Sequence, residues 1–219
     1  MQLDVIFDTV CPWCYIGKRR LEHAIAMRPK ANIDINWRPF MLNPDIPQSG
    51  IDRTAYLIKK FGSETRVRRV YGTIGEAGHS VEIKFAFERI QRMPNSVSSH
   101  RLIRYASHFV DVAPMVEQLF EAYFIKGIDI GNTDVLINIG AFSGLDPIPL
   151  RAYLDSEADV AAIYEENARA HRLGVNGVPT FAFQGNMVIS GAQEPEVLVR
   201  ILDAASAGLS ASPMSEPLQ

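Results

Sequence analysis

An excess of positive charge is the first thing this 219-residue chain lacks. Its 22 lysines and arginines stand against 25 aspartates and glutamates, a formal net charge of −3 with a pI near 6.0. No basic field is present to draw a polyanion, so nucleic acid and anionic membrane surfaces are excluded as partners. A membrane span is missing too. The longest uncharged stretch, Leu173 to Gln193, is interrupted by four glycines, a proline and several amides, whereas a bilayer helix needs about 20 mostly apolar residues. At the beginning, Asp4 and Asp8 stand where a secretory leader has a basic segment and then a long apolar run. Taken as the native start, that implies the cytoplasm. Neither G-x-G-x-x-G nor G-K-[ST] occurs, so no nucleotide site is signalled. Cysteine is scarce: Cys11 and Cys14 are the whole supply, which excludes a disulfide-stapled secreted scaffold.

What remains is ordinary for a globular chain, with 47% hydrophobic and 21% charged residues, long enough to bury a sizeable core in about one to one and a half domains. Leu3-Asp-Val-Ile-Phe-Asp8 reads as a strand, and Pro12 suits the first position of a helix running to about Met27, with Cys14, Leu21, Ala24 and Ile25 along one side. Asn32 to Arg38 alternates as a second, half-buried strand with Ile33, Ile35 and Trp37 on one face. The two strands should be parallel, joined by the helix as a right-handed crossover.

Pro39 to Gly50 is an irregular, proline-rich connection. The text is then helical to Leu173, with candidate helices Arg53–Phe61, Ser63–Gly78, Ser96–Val110, Pro114–Ile125, Thr133–Ser143 and Pro149–Leu173, the last as one helix or two. Strand signals return at Thr180–Phe183 and Met187–Ile189 around a Gln184-Gly-Asn186 turn, and Glu194–Ala207 closes the chain as an amphipathic helix. These elements imply an α/β chain, with a discontinuous domain from 1–40 and 175–207, an inserted helical domain over 51–173, and a flexible tail at 208–219.

Cys11-Pro-Trp-Cys14 carries the chemistry. Three positions apart at a helix start, the two sulfurs fall on one side of the first turn, within reach of a disulfide. Cys11 lies at the N-cap, where free N–H groups and the helix dipole favour a thiolate. Cys14, one turn inward, is shielded. Cys11 is therefore the attacking sulfur and Cys14 the resolving one. Two plainer readings compete: half a zinc site, or inert buried cysteines. Tetrahedral zinc needs about four ligands, no second cysteine pair exists, and His100 and His108 are spaced too widely for a finger-type pair. No metal is expected.

Six segments together resemble a known family. They are Phe7-Asp-Thr-Val-Cys-Pro-Trp-Cys-Tyr-Ile-Gly17, Trp37-Arg-Pro-Phe-Met-Leu-Asn-Pro44, Asn95-Ser-Val-Ser-Ser-His-Arg-Leu102, Leu119-Phe-Glu-Ala-Tyr-Phe124, Gly174-Val-Asn-Gly-Val-Pro-Thr-Phe181 and Ser190-Gly-Ala-Gln193. The chain resembles the DsbA-like thioredoxin-fold oxidoreductases, in particular their cytoplasmic FrnE-like branch, from about Leu3 to Ala205. The resemblance implies a thioredoxin fold (βαβ…ββα) with a large helical insertion capping the site. It also implies a cis proline at Pro179 facing the cysteines. The implied activity is thiol–disulfide exchange with disulfide-containing proteins or with glutathione, which acts as a co-substrate and not as a bound cofactor. The oligomeric state stays open, a dimer included. A related group shares the fold, the glutathione-dependent 2-hydroxychromene-2-carboxylate isomerases and kappa-class glutathione transferases. Those typically carry serine at the position of Cys11. The rival readings are that isomerase or transferase activity, and a non-catalytic binding or chaperone role.

Around the cysteines, Pro12, Trp13, Val178 and Pro179 are the expected substrate contacts, with Trp13 exposed. Asp8, Asn95 and His100 are candidate supporting residues. Asp8 either takes up the Cys14 proton through water or serves the helix N-terminus. Asn95 is read foremost as an N-cap, and His100 and Arg101 as structural or as partners of a substrate carboxylate. The basic cluster Lys59, Lys60, Arg66, Arg68 and Arg69 reads as a solvated helix face.

Overall fold

Three β-formers in alternation, Leu3, Val5 and Phe7, are the root of the fold, because the strand that carries them lies inside a sheet. In the computed structural model, which describes residues 1–183 and 187–210, strand β1 (Gln2–Phe7) pairs in parallel with β2 (Asp34–Pro39), Val5 lying opposite Trp37. On its other side β1 runs antiparallel to β5 (Thr180–Phe183), with Val5 opposite Phe181. Strand β6 (Met187–Ser190) completes the order β2-β1-β5-β6. With neighbours on both edges, β1 buries Leu3, Val5 and Phe7 almost completely. The chain therefore has the thioredoxin fold with its helical insertion. The turn at Gln184–Asn186 lies outside the described residues.

Helix α1 (Pro12–Ala26) leaves the end of β1, with proline at its first position as read from the sequence. Between β2 and β5 lie β3 (Ile51–Asp52), α2 (Arg53–Phe61), α3 (Glu64–His79), a 3-10 turn at Phe87–Arg89 and β4 (Arg92–Met93). They are followed by α4 (Val97–Ala106), α5 (Ala113–Phe120), a π-helical turn at Glu121–Ile125, α6 (Thr133–Phe142), α7 (Pro147–Asp155) and α8 (Val160–Arg172). The stretch read as Pro149–Leu173 is thus two helices. The expected Pro114–Ile125 helix loosens into the π turn, which keeps Tyr123 and Phe124 buried. Helix α9 (Pro195–Ser210) packs on α1. It continues through Ser210, past the 208 at which the tail was expected, and residues 211–219 lie outside the described residues.

The two parts of the chain are joined by a charged cluster at the base of α1. Glu117 of α5 accepts hydrogen bonds from Tyr15 Oη (2.7 Å), Lys18 Nζ (2.5 Å) and Arg19 Nη2 (2.5 Å), and Tyr15 stacks on Phe120 at 5.0 Å. Burial works against the Glu117 carboxylate, but Lys18, Tyr15 and Arg19 outweigh it and hold its pKa below the usual value. A carboxyl depressed on folding stabilises the fold above its unfolded pKa and loses that contribution as pH falls through the folded one. Glu117→Gln should therefore lower stability by about 2–3 kcal/mol at pH 7, because it leaves the Lys18 and Arg19 charges under-compensated. In urea titrations the deficit should shrink as pH drops below about 4, where the wild-type carboxyl also takes up a proton. A deficit independent of pH would deny the charge its role.

Candidate active site

The strand-to-helix turn at residues 8–12 sets the geometry. Cys11 is the N-cap residue of α1 in extended conformation, its N–H bonded to the Asp8 carbonyl at 3.1 Å, and its own carbonyl receives the Cys14 N–H at 3.0 Å. Both sulfurs are present as free thiols and both are covered, Cys11 at 4% and Cys14 at 2% exposure. The Cys14 thiol is pushed well above the ordinary value of 9.0, first by burial, then by its hydrogen bond with Cys11 and by the Cys11 charge. A hydrogen bond from the Asp8 backbone pulls the other way, and the charge of Asp8 adds the smallest push upward. Raised on folding, this thiol supports stability below its unfolded pKa, and the support fades as pH rises toward the folded one. In Cys11→Ser, where burial persists, Cys14 alone should titrate above pH 9 by thiolate absorbance; a midpoint below that would mean the site is more open than the fold implies.

The β5 end supplies the opposite wall. The Val178–Pro179 peptide bond is cis, and the Val178 carbonyl accepts the Cys11 S–H at 3.7 Å. Pro179 is buried while Val178 is half-buried. Gly17, one turn beyond Cys14, explains how the proline approaches the helix. A Cβ there would lie 2.7 Å from Pro179 Cγ and 3.4 Å from Phe181 Cζ. A glycine three positions after the second cysteine was the available signal, and sequence reasoning did not use it. Gly17→Ala should cost about 1–3 kcal/mol through overpacking and displace the proline from Cys11, slowing exchange. Gly72→Ala on α3 is the control. Its Cβ would meet nothing within 4 Å, so it should stabilise by about 0.5–1 kcal/mol through helix propensity. Equal effects at the two sites, read from urea midpoints, would refute the packing argument.

The other expected residues divide. Trp13 is half-buried and packs on the main core, which corrects the expectation of an exposed ring. Asp8 is wholly buried. Its Oδ2 accepts the Leu42 N–H at 2.8 Å and its Oδ1 the Val10 N–H at 3.3 Å. His100 joins it, with Nε2 3.6 Å from Asp8 Oδ1 and its ring edge-on to Phe7. Beside them Thr9 and Ser99 share a hydrogen bond of 2.7 Å. Asn95 is committed elsewhere: its Oδ1 accepts the Val97 N–H at 2.9 Å and its Nδ2 donates to the Ile46 carbonyl. It stands one residue before the N-cap of α4, which is Ser96, a correction to the expected cap role, and its two bonds tie the start of α4 to the proline-rich connection. Arg101 is buried and donates to the carbonyls of Tyr153, Leu154, Ser156 and Ala158, so it holds the end of α7 and is not available to a substrate carboxylate.

That proline-rich connection forms a feature the sequence reading passed over. A groove of about 700 Å³ lies between Leu42–Pro47 and α2, with Ile51 and Tyr56 in its wall and Lys59 and Lys60 among its lining. Asp8 holds Leu42 at one end of it. The rest of the basic cluster, Arg66, Arg68 and Arg69, is solvent-exposed. Among the described residues no group of three or more His, Cys, Asp or Glu side chains could hold a metal ion, and no helix is long and apolar enough to cross a membrane.

Comparison with known proteins follows this geometry. The model of the DSBA-like thioredoxin domain matches residues 2–203. An uncharacterised Bacillus subtilis protein, YwbO, is 24% identical over 203 residues, which cover 92% of this chain and 96% of that one. The structure of a probable DsbA oxidoreductase from Streptomyces coelicolor superposes with a TM-score of 0.88 at 23% identity, covering 100% of this chain and 94% of the other. A cytosolic disulfide reductase, DsbM, from Pseudomonas aeruginosa, solved with GSH, gives a TM-score of 0.66 at 17% identity over 94% of this chain and 100% of that one.

Proposed function

The chain belongs to the DSBA-like thioredoxin-domain family, and from that premise we propose that it is a cytoplasmic thiol–disulfide oxidoreductase whose Cys11–Cys14 pair exchanges with protein disulfides and with glutathione. The observation that carries this reading is the asymmetry of the two sulfurs. Cys11 is the N-cap residue of α1 and gives its S–H to the Val178 carbonyl on the opposite wall. Cys14 is buried behind it and held as a thiol. In the forward direction the Cys11 thiolate attacks one sulfur of the substrate disulfide, and the other leaves as a thiolate that takes a proton from solvent. Cys14 then loses its proton and attacks Cys11, closing an intramolecular disulfide and releasing the second substrate thiol. Two glutathione thiols reduce the pair again by the same exchange in reverse.

Pro12, Trp13, Val178 and Pro179 form the rim that a substrate segment meets, and the Leu42–Lys60 groove takes the chain flanking its disulfide. Glutathione as the reductant is supported by the GSH-bound neighbour and by a cytosolic poise that keeps thiols reduced. The test is turnover: with a disulfide-containing protein, glutathione, and glutathione reductase regenerating it, catalytic amounts of the protein should accelerate NADPH consumption. No acceleration over the glutathione background would refute the reading.

A further inference from the structure

The groove between Leu42–Pro47 and α2 sorts its charges by sign. Its volume of about 700 Å³ is that of a cleft able to hold several residues of another chain, and binding clefts run to roughly 300–1,000 Å³. Ile46, Ile51 and Tyr56 give it apolar walls, and Asp45, Asp52, Lys59 and Lys60 are its charged lining. Asp52 is the N-cap of α2 and accepts the Ala55 N–H at 2.7 Å. Lys59 and Lys60 lie in the last turn of the same helix, roughly 11 Å farther along its axis at 1.5 Å per residue. The basic end is the one tied to the cysteines. Asp8 receives the Cys11 N–H on its carbonyl at 3.1 Å and the Leu42 N–H on its carboxylate at 2.8 Å. The next residue, Asn43, accepts the Tyr56 hydroxyl, and Tyr56 Oη in turn accepts from Lys60 Nζ at 3.0 Å. Lys60 thus spends one of its three donors, and among the described residues neither lysine is in an ion pair. Two uncompensated positive charges at the catalytic end of an apolar cleft complement an anionic side chain on an otherwise apolar segment.

We propose that this groove selects protein substrates whose disulfide cysteine is flanked on one side by an acidic residue, followed by an apolar stretch. The carboxylate sits at Lys59 and Lys60, and the apolar residues beyond it lie over Ile46 and Ile51. The proposal rests on the exchange reading above and adds a substrate class to it. Asp45 and Asp52 at the far end repel a second acid there, so a uniformly acidic segment is rejected while a single acid beside the cysteine is accepted. Both lysines are exposed, and an exposed ammonium contributes little to one carboxylate. The selection is therefore a few-fold, and its signature is the sign of the charge and the side on which it stands.

The experiment is single-turnover reduction of symmetric peptide disulfides by the reduced protein, followed as released peptide thiol by chromatography. The peptides share one apolar sequence around a central cysteine and differ at a single flanking position, which is Glu, Gln or Lys. The Glu peptide should react about fivefold faster than the Gln peptide, and the Lys peptide should be the slowest. In the Lys59→Glu, Lys60→Glu double variant the order should invert, with the Lys peptide fastest. The preference should hold for one flank of the cysteine only, because the groove leaves the catalytic turn in one direction. Equal preference on both flanks would mean attraction by a diffuse positive field and would overturn the proposal. A Glu-to-Gln ratio near one, or an order that survives the charge reversal, would overturn it as well. Should the double variant not fold, Lys59→Glu alone, at an exposed position outside any ion pair, should reduce the ratio to about twofold, and an unchanged ratio would count against the groove. Release of thiol from none of the peptides would instead refute the exchange reading itself, whereas release from all of them at one rate refutes the acidic selection alone.

Discussion

Cys14→Ser should convert the protein into a trap: mixed disulfides accumulate on Cys11 and persist through non-reducing electrophoresis, while Cys11→Ser captures nothing. The reason is the division of labour in the first turn of α1. In the proposed exchange Cys11, at the N-cap, is the nucleophile, and Cys14, one turn inward and buried, is the thiol that releases what Cys11 has captured. Multiple turnover should fall to background in both variants, the largest effect expected of any substitution here, because each removes one of two sequential displacements. The single-cysteine variants also separate the chemistry from its relatives. An isomerase or transferase of the glutathione-dependent kind would keep its activity in Cys14→Ser, and a chaperone-like binder would be indifferent to either change. Partners trapped on Cys14 in Cys11→Ser would reverse the assignment.

Arg101→Met should produce the largest loss of stability outside the core, about 3–5 kcal/mol. Its guanidinium, 3% exposed, donates to four carbonyls at the end of α7 at 2.7–3.1 Å and stacks on Tyr153 at 5.0 Å. Charge-assisted bonds to backbone contribute about 1.5–3 kcal/mol each. Methionine fills much of the volume, but the freed carbonyls keep their desolvation cost. Urea unfolding should show the loss, and the exchange rate of the molecules that remain folded should change by less than about twofold, since the residue touches neither sulfur. A rise in KM for glutathione with stability unchanged would mean instead that Arg101 meets a substrate carboxylate.

These two predictions mark what was and was not legible in the sequence. The strand–helix–strand opening, the hairpin strands after Gly177 and the closing helix follow from short-range patterns: alternation in Leu3–Phe7, Pro12 at a helix start, the stripe of Val197, Leu198, Ile201 and Leu202. Cys11 and Cys14 stand out because their spacing and the strand before them are local. Arg101 and Asn95 were open to a ligand-binding reading because a buried polar side chain cannot be told from a solvated one until the partner segment is in place. Arg101 finds its acceptors more than fifty residues later in the chain, at 153–158, and Asn95 finds Ile46. The β3–β4 pairing was illegible for the same reason, as two residues a side carry no period of their own. The π turn at Glu121–Ile125 was hidden by an apolar pattern that suits an α-helix equally well. Gly17 was visible but mute, since its meaning depends on Pro179, which arrives more than 160 residues later.

The central claim, that Cys11 and Cys14 work as one dithiol–disulfide couple, is tested most directly by equilibrating the protein across graded mixtures of reduced and oxidised glutathione. Quenching with an alkylating agent and weighing the products then reads the state of both sulfurs. The account predicts one transition between a doubly alkylated form and an unalkylated form two hydrogen atoms lighter than the untreated reduced protein, with the dependence of a two-electron couple and with glutathione adducts only in Cys14→Ser. Both thiols remaining alkylatable across the whole range, or a stable glutathione adduct on Cys11 with Cys14 still free, would contradict it.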